Sequence, residues 1–449
     1  MNSKVAIIGA GISGLSTAYF LKEKNFKNIT LFEAKDKPGG VVSTFKNKKY
    51  KYEIGPNTLS VSDSRVNDMF NNLNLKIVYP SSTASNRFIF KHKALYKLPT
   101  SFISFLFTNF FSLRTKIRIV FEYFRLNRST TKNESVYDFF TRKFNTEISD
   151  YVVNPFIAGT FSGNPKKLSL KHAFPLLNEL DSKYGSIIKG FIKSKKKKYK
   201  IKRQVISFEN GLFDLIKSLS KIFDSNIKYS ANITSISKID NHFIVEYMSK
   251  GKIKSKKFDK VVITVPTYNF NDISFNSNLQ TYFSTFKDIY YPPIVTATLA
   301  FKKNHIKDRL NGFGLLIPEK EKMNILGVLY LSSMFENSSP KDEALITVFV
   351  GGARQPKLTT LSEEELEKLI LSDLSKIFNI TEKPVYYTTK HWNKSIPQYD
   401  LDYQKHLDTI NFIETHCTGL FFNGNFRNGI SLENNIINSL KITESICAQ

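Results

Sequence analysis

The stretch of sequence that decides the fold is residues 4–21, KVAIIGAGISGLSTAYFL, followed by residues 29–33, ITLFE. An apolar run, a glycine-rich turn and a second, longer apolar run succeed one another, and a third run ends in an acidic residue. This order predicts a buried strand, a tight turn, a helix that begins near Ser13 and a second buried strand. The stretch is therefore predicted to form a β-α-β unit.

Three glycines in this unit, Gly9, Gly11 and Gly14, have the spacing of a dinucleotide-binding turn. Gly9 would allow the turn, Gly11 would let the backbone approach a pyrophosphate, and Gly14 would let the helix pack closely on the strand. The start of the helix would offer free N–H groups to the phosphates. Glu33 lies 19 positions after Gly14, where a carboxylate is expected to hold a ribose hydroxyl. These features predict a dinucleotide site and leave NAD and FAD both open.

The composition is that of a globular protein with an unusual charge. The chain has 449 residues, of which 41% are hydrophobic and 23% charged, so it is long enough for about two or three domains. The formal net charge is +26. Such a charge is typical of proteins that bind nucleic acid, an anionic membrane or an acidic substrate. It also follows from the general abundance of lysine in this sequence, so the charge alone does not identify a partner.

The cysteines bound the compartment and the metal chemistry. Cys417 and Cys447 are the only two cysteines, and neither belongs to a pattern with metal-ligand spacing. We therefore expect a reducing compartment, no disulfide framework and no metal site.

One segment suggests contact with a membrane. Residues 102–113, FISFLFTNFFSL, are rich in large apolar side chains, and Arg114, Lys116 and Arg118 follow closely. The segment is too short and too polar to span a bilayer, and no run of 18 apolar residues occurs in the chain. The N-terminal strand passes directly into the glycine turn, so we expect no signal peptide. An apolar segment with basic neighbours is typical of a monotopic membrane contact, and a helix packed within a helical domain is the alternative.

Two further stretches lie in the middle of the chain. Residues 151–165, YVVNPFIAGTFSGNP, contain clustered glycines and prolines, which predict a loop-rich region with backbone close to a ligand. Residues 193–203, KSKKKKYKIKR, form a basic run. We interpret that run as a solvated loop at the end of an inserted helical domain and assign it no role.

The C-terminal region predicts a second helix N-terminus. Residues 420–424, LFFNG, form a strand that runs into a glycine, and a helix begins after Gly429. Two helix N-termini that follow strands suit a long cofactor, because one would take the pyrophosphate and the other the ring edge that becomes negative on reduction. Together with Gly39 and Gly40, this favours FAD over NAD.

With these segments in view, the chain resembles the FAD-dependent porphyrinogen oxidases of haem synthesis, within the flavin amine oxidase superfamily. The resemblance covers essentially the full length and is most specific in residues 154–165 and 396–399. The matching segments are GAGISG (9–14) with Glu33, PGG (38–40), EIGP (53–56), RFI (87–89), Leu98-Pro99, ESVYDFFTR (134–142), NPFIAGTFSGNP (154–165), YGS (184–186), GG (351–352), HW (391–392), IPQY (396–399), NGN (423–425) and GIS (429–431).

The resemblance implies an α/β fold, α+β overall. It implies a Rossmann-type FAD domain split in sequence, a substrate domain with a mixed sheet, and an inserted helical domain that can meet a membrane. The predicted FAD domain comprises residues 1–85, 204–270 and 400–449, and the substrate domain 86–99 and 271–399. The inserted domain is predicted to comprise residues 100–203.

The resemblance also assigns roles to residues. Arg87 matches an arginine that pairs with a substrate propionate, and the backbone of Gly159 would face the macrocycle. The adenine would be held by the backbone of Ile233. No catalytic general base is assigned. The residues predicted to bind non-covalent FAD are Gly9, Gly11, Gly14, Glu33, Gly39, Gly40, Gly55, Pro56, Ile233, Gly424, Asn425, Gly429, Ile430 and Ser431.

The implied activity is oxidation of a porphyrinogen to a porphyrin by three two-electron hydride transfers to flavin N5. Oxygen would be the electron acceptor and hydrogen peroxide the product. Protoporphyrinogen IX and coproporphyrinogen III both stay open as the substrate. We further expect a cytoplasmic protein, peripheral on the inner face of an anionic membrane, a homodimer, and no nucleic-acid partner.

Two other functions compete with this prediction. Another flavin enzyme of the same fold, an amine oxidase or a carotenoid desaturase, would share the glycine fingerprint and the cofactor. A basic protein that binds nucleic acid or anionic lipid would explain the charge but not the fingerprint.

Overall fold

The structure is a computed structural model that describes residues 1–124, 133–194, 199–275, 277–306 and 310–449. Residues 195–198, at the centre of the basic run, lie outside the described residues.

The strands alternate in type and position along the chain. They are β1 (Lys4–Ile8), β2 (Asn28–Phe32), β3 (Thr44–Lys46), β4 (Lys51–Glu53), β5 (Leu59–Asp63), β6 (Ile77–Val78), β7 (Arg87–Lys91), β8 (Ala94–Lys97), β9 (Lys200–Phe208), β10 (Ile227–Lys228), β11 (Asn232–Ile239), β12 (His242–Ser249), β13 (Lys252–Phe258), β14 (Lys260–Ile263), β15 (Ser274–Phe275), β16 (Ile294–Lys302), β17 (Gly314–Leu316), β18 (Ile325–Leu329), β19 (Glu343–Gly351), β20 (Tyr386–Trp392) and β21 (Leu420–Phe422).

The helices cluster between β8 and β9 and at the C-terminus. The α-helices are α1 (Ile12–Glu23), α2 (Ser64–Asn72), α3 (Phe102–Phe107), α4 (Leu113–Glu122), α5 (Val136–Lys143), α6 (Thr146–Ile148), α7 (Asn154–Phe161), α8 (Leu170–Ala173), α9 (Pro175–Tyr184), α10 (Ile187–Lys193), α11 (Phe213–Ile222), α12 (Ser277–Phe283), α13 (Leu331–Met334), α14 (Glu363–Ile377), α15 (Gln404–His416) and α16 (Leu432–Ala448). A π-helical turn covers Ser149–Val153, and 3-10 turns cover Ser82–Ser85, Asp224–Asn226, Thr267–Asp272, Ser284–Asp288, Glu319–Glu321 and Pro356–Thr360.

The predicted β-α-β unit lies at the centre of a parallel sheet. Its strands run in the order β10-β2-β1-β14-β21, and each neighbouring pair is parallel. These strands come from three distant parts of the sequence. Helices α1, α11 and α16 share a hydrophobic core with one face of the sheet. The carboxyl ends of the strands therefore meet at one edge, where ligands bind in folds of this type.

A mixed sheet forms the second large layer. In the described part of the chain its strands run β20-β16-β19-β18-β17-β7-β8. One face packs on α14 through Leu366, Ile370 and Leu374, which leaves the other face available to the site. A smaller sheet has the order β13-β12-β11-β15. The predicted α/β fold class is confirmed, while the domain boundaries stay a prediction.

Two of our local predictions are wrong. Residues 149–161 are helical rather than a loop, because Pro155 lies in the first turn of α7, where its missing N–H costs no hydrogen bond. Residues 200–203 of the basic run belong to β9 rather than to a solvated loop, since β9 pairs with β5. Among the described residues, no helix combines the length and the apolar character that crossing a bilayer requires.

Candidate cofactor and substrate site

The glycine turn between β1 and α1 has the geometry that its sequence predicts. Gly9 has a φ of +107°, a conformation that side chains rarely adopt, and its N–H donates to the Phe32 carbonyl at 2.8 Å. A Cβ on Gly14 would collide with the carbonyl oxygen of Gly9. No side chain caps the N-terminus of α1 at Gly11, so the first N–H groups of the helix stay available to an anion.

Glu33 ends β2 and is held by the turn. Its Oε2 accepts the N–H of Ala10 at 2.9 Å and its Oε1 accepts the N–H of Lys35 at 3.0 Å, and the residue is buried. A carboxylate accepts more than two hydrogen bonds, so it can still receive a ribose hydroxyl. The Glu33 carbonyl accepts the N–H of Ala231 at 2.9 Å, which brings Ile233 at the start of β11 next to this carboxylate.

Gly39 and Gly40 face the first turn of α1. The N–H of Gly39 donates to the Ala10 carbonyl at 2.9 Å, and Gly11 and Gly39 form an isolated parallel bridge. A Cβ added to Gly11 would meet no atom closer than the Cα of Gly40, at 3.9 Å. The two glycine segments thus form a cradle of bare backbone in which a side chain would take the space of a ligand.

Glu53 fixes the helix that supports this cradle. It accepts the N–H of Leu212 and the hydroxyl of Thr44, both at 2.8 Å, just before α11 begins. Burial raises the pKa of Glu53 to about 7, although these two hydrogen bonds act in the opposite direction. The side chain of Phe213 on α11 packs on Gly39.

Gly55, Pro56 and Asn57 form the next part of the groove. A Cβ on Gly55 would collide with the Val41 carbonyl and would lie 3.9 Å from Cζ2 of Trp392. The side-chain oxygen of Asn57 is buried and has no hydrogen-bond partner among the described residues. An orphaned buried acceptor calls for a ligand donor or water, which fits a bound cofactor here.

The C-terminal loop, with Gly424, Asn425, Gly429, Ile430 and Ser431, lies between β21 and α16. The Ser431 side chain caps α16 by accepting the N–H of Asn434. Helix α16 packs beside α1, since the hydroxyl of Ser13 donates to the Asn435 side chain at 2.9 Å. The two helix N-termini predicted from the sequence therefore open on the same edge of the parallel sheet.

Sequence reasoning missed the buried polar cluster between these helices. Asn423 donates from its side chain to Ser439 at 2.8 Å and to Thr17 at 3.1 Å. Glu433 accepts the backbone N–H groups of Ser62 and Asp63. Polar residues on the predicted buried helix faces were the available signal.

Arg87 presents a guanidinium that makes no ion pair with the described residues. Its guanidinium carbon lies 4.7 Å from the centre of the Phe313 ring. Burial of the guanidinium lowers its pKa, and the neighbouring Arg203, which sequence reasoning did not select, lowers it further. The group stays charged at neutral pH, because an arginine does not lose its proton in this range.

Gly159 lies on α7 with its backbone exposed, close to the mixed sheet. A Cβ at this position would lie 2.6 Å from Cδ2 of Leu316, so α7 can approach β17 only with glycine here. Strand register pairs Gly314 with Arg87 and places Arg87 and Leu316 on the same face of the sheet. The structure thus brings the two predicted substrate residues to one face.

The same face continues across the sheet towards the cofactor groove. The register through β18, β19, β16 and β20 adds Phe349 and Trp392 to it. We call this surface the cleft face and define it by Arg87, Leu316, Phe349 and Trp392. It offers apolar and aromatic area with a cation at one end, and Trp392 reaches the Gly55 segment.

The glycine turn, the second helix N-terminus and the adjoining cleft face define a flavoprotein oxidoreductase with a two-domain active site. Comparison with known proteins agrees with this class. The family described as flavin containing amine oxidoreductase matches residues 12–429. The chain belongs to this family, and it is an oxidoreductase that uses FAD.

Individual relatives narrow the resemblance. The mitochondrial protoporphyrinogen oxidase of Nicotiana tabacum is 32% identical over 463 aligned residues, which cover 96% of this chain and 92% of the relative. The coproporphyrinogen III oxidase of Staphylococcus aureus is 26% identical and covers 93% of this chain and 92% of its own length. A crystal structure from an Exiguobacterium species, assigned provisionally as a protoporphyrinogen oxidase, has a TM-score of 0.80 with 20% identity, full coverage of both chains and the same fold. The predicted resemblance is confirmed.

Proposed function

We propose that this protein oxidises a porphyrinogen to the corresponding porphyrin. The observation that carries the proposal is the similarity to porphyrinogen oxidases over nearly the whole chain. The cleft face supports it, because a tetrapyrrole needs a broad apolar surface and a cation for a propionate. We assign Arg87 to that propionate and the backbone of Gly159 to the edge of the macrocycle.

FAD would be held along the groove described above. Glu33 and Ile233 would hold the adenosine half, and Gly9, Gly11, Gly14, Gly39 and Gly40 the pyrophosphate. Gly55, Pro56 and the loop from Gly424 to Ser431 would surround the flavin ring. When bound, the flavin supplies hydride acceptance at N5. This chain's residues hold the ring system of the substrate close to that position and exclude water.

The overall reaction removes six hydrogen atoms in three two-electron steps. In each step the substrate loses a hydride and a proton, and one O2 becomes one H2O2. No titratable side chain is needed on the cleft face for orientation, apart from Arg87. We therefore assign no general base and propose that binding geometry supplies most of the rate enhancement.

A spectroscopic panel tests this function. The purified protein should be yellow, and under anaerobic conditions protoporphyrinogen IX or coproporphyrinogen III should bleach its flavin bands while a primary amine should not. In air, each porphyrin formed should be accompanied by about three H2O2, as the stoichiometry above requires. Bleaching by amines alone would identify an amine oxidase instead. Paired kinetics on the two porphyrinogens decide which is the better substrate.

We also propose that the protein binds peripherally to an anionic membrane. Helices α3, α4 and α10 carry exposed large apolar side chains, which we call the apolar patch. Its members include Phe102, Ile103, Phe107, Leu113, Phe121, Phe124, Phe191 and Ile192, and Phe107 is 81% exposed. A patch of this kind on one surface indicates an interaction site, and Arg114, Lys116 and Lys193 in these helices fit anionic headgroups.

The apolar patch is fixed to the rest of the protein by buried ion chemistry. The carboxylate of Glu122, at the end of α4, accepts the N–H groups of Ile187 and Ile188 at the start of α10. Glu147 accepts the Lys91 ammonium at 2.8 Å. Burial alone would raise the pKa of Glu147, but hydrogen bonds from Lys91 and Ser112 outweigh it and hold the pKa at about 2. The patch is therefore presented on a braced surface.

Charge placed in the apolar patch should release the protein from vesicles. The double variant Phe107→Asp, Phe121→Asp is expected to lose at least ~30-fold in partition onto vesicles with anionic lipid, since each phenylalanine contributes roughly 1.5–3 kcal/mol when buried. Sedimentation with vesicles measures this. Ile253→Asp is the matched control, because Ile253 is 65% exposed on β13, outside the patch. Equal binding of the double variant and the wild type would contradict membrane docking. Homodimerisation stays a prediction that light scattering checks.

A further inference from the structure

The short segment of residues 396–399, IPQY, contacts the cofactor side and the substrate side of the site at once. We call this segment the strap. It follows β20 and precedes α15, and its residues Gln398 and Tyr399 are both buried. No role was assigned to it by the site residues described above.

The hydroxyl of Tyr399 holds both ends of the C-terminal loop. It donates to the carbonyl of Asn425 and accepts the N–H of Gly429 at 3.1 Å. Burial raises the pKa of Tyr399 well above its usual value, so the hydroxyl keeps its proton and can serve both bonds. Gly429 has a φ of +118°, and the loop backbone must therefore follow one specific path to place its N–H at this hydroxyl.

Neighbouring groups complete the ordering of the loop. The carbonyl of Phe426 accepts the hydroxyl of Tyr403 at 2.7 Å, and the carbonyl of Arg427 accepts the side chain of Asn438 at 2.7 Å. Tyr399 differs from these two contacts because it is the one that joins the start of the loop to the glycine before α16. Its hydroxyl therefore sets where Ile430 and Ser431 lie.

The other arm of the strap reaches the helix that carries Gly159. The side-chain amide of Gln398 donates to the carbonyl of Phe161, the last residue of α7, at 2.8 Å. The N–H of Ser169 donates to the carbonyl of Tyr399 at 2.8 Å. Adjacent residues thus hold the loop on one side and the end of the substrate helix on the other.

We infer that the strap sets the distance between flavin and substrate, with Tyr399 as a positioning residue for the flavin loop and Gln398 as a positioning residue for α7. This inference rests on the proposed function, because it assumes that the flavin ring lies at the C-terminal loop and the substrate beside Gly159. It separates two effects that a merely structural segment would mix. Loss of the Tyr399 hydroxyl acts on cofactor retention, and loss of the Gln398 amide acts on substrate binding.

Release of FAD from the holoenzyme tests the first arm. Tyr399→Phe should release FAD ~10-fold faster on dilution and shift the flavin absorption bands, because two buried loop groups lose their partner. Tyr403→Phe is the matched control, since it also removes one buried hydroxyl bond to the loop but joins neither of its ends. It should lower the melting temperature by a similar amount and change FAD release by less than ~2-fold.

Steady-state kinetics test the second arm. Gln398→Leu should raise the KM for the porphyrinogen ~5-fold and leave FAD release unchanged, because α7 loses its fixed end. If Tyr399→Phe does not fold, this variant carries the test. The inference is overturned if both tyrosine variants release FAD at the same rate, or if Gln398→Leu alters FAD release as much as KM. A wild-type protein that holds no FAD or oxidises no porphyrinogen contradicts the proposed function instead.

Discussion

Gly11→Ala should give a folded protein that does not retain FAD. The backbone of Gly11 is extended, with φ −78° and ψ −175°, so alanine can adopt it without strain. The nearest atom to the new methyl group is the Cα of Gly40, at an ordinary contact distance of 3.9 Å. The fold is therefore expected to change its free energy of unfolding by less than ~0.5 kcal/mol.

The cofactor meets the same methyl group differently. A pyrophosphate must come within hydrogen-bond distance of the first N–H groups of α1, and a methyl group in the cradle forces it outward. We expect the affinity for FAD to fall at least ~100-fold, or about 2.7 kcal/mol. Absorption spectra of the purified variant and melting curves recorded without FAD measure the two effects separately.

Gly14→Ala is the contrasting variant. Its methyl group would collide with the carbonyl oxygen of Gly9, which is backbone and cannot rotate away. We expect this variant to lose ~1–3 kcal/mol of stability even without FAD, because α1 must move off the sheet. A colourless but stable Gly11→Ala beside an unstable Gly14→Ala would assign the first glycine to the ligand and the second to packing. A yellow Gly11→Ala would contradict the cradle.

Local patterns were sufficient to predict the parts of the fold that depend on neighbouring residues. The β1-α1-β2 unit follows from periodicity and glycine spacing. Asp63 caps α2 by accepting the N–H of Arg65, and Ser362 forms a capping box with Glu365 at the start of α14, as predicted. In each case the groups that determine the structure lie within a few residues of one another.

The predictions that failed depended on distant contacts. The helix through Gly159 is allowed by its fit against Leu316, and nothing near Gly159 in the sequence announces that neighbour. Ser13 and Asn435 are separated by 422 positions and still share a buried hydrogen bond. Arg203 was taken as part of a solvated loop, yet its strand brings it close enough to lower the pKa of Arg87. A single sequence carries no record of such pairings.

Arg87→Ala should lower kcat/KM for a porphyrinogen by ~100-fold, or about 2.7 kcal/mol of transition-state stabilisation. The guanidinium makes no ion pair with the described residues, so its charge is available to a substrate carboxylate. Stacking on Phe313 holds its plane in one orientation, which suits a bidentate pair. Most of the loss should come from KM, because the propionate is bound in the same way before and during hydride transfer.

Two companion variants separate a direct pair from a general electrostatic effect. Arg87→Lys keeps the charge but not the fork of donors, and it should recover no more than ~10-fold of the loss. Arg203→Ala removes a neighbouring charge whose Nε donates to the Ser60 hydroxyl at 2.6 Å. It should change kcat/KM less than ~3-fold, and that change should vanish at high salt because exposed charges are screened. If Arg203→Ala were as damaging as Arg87→Ala, the positive potential of the cleft rather than a specific propionate contact would govern substrate binding. A normal FAD spectrum in all three variants is required for the comparison, since the cofactor groove lies outside the region they alter.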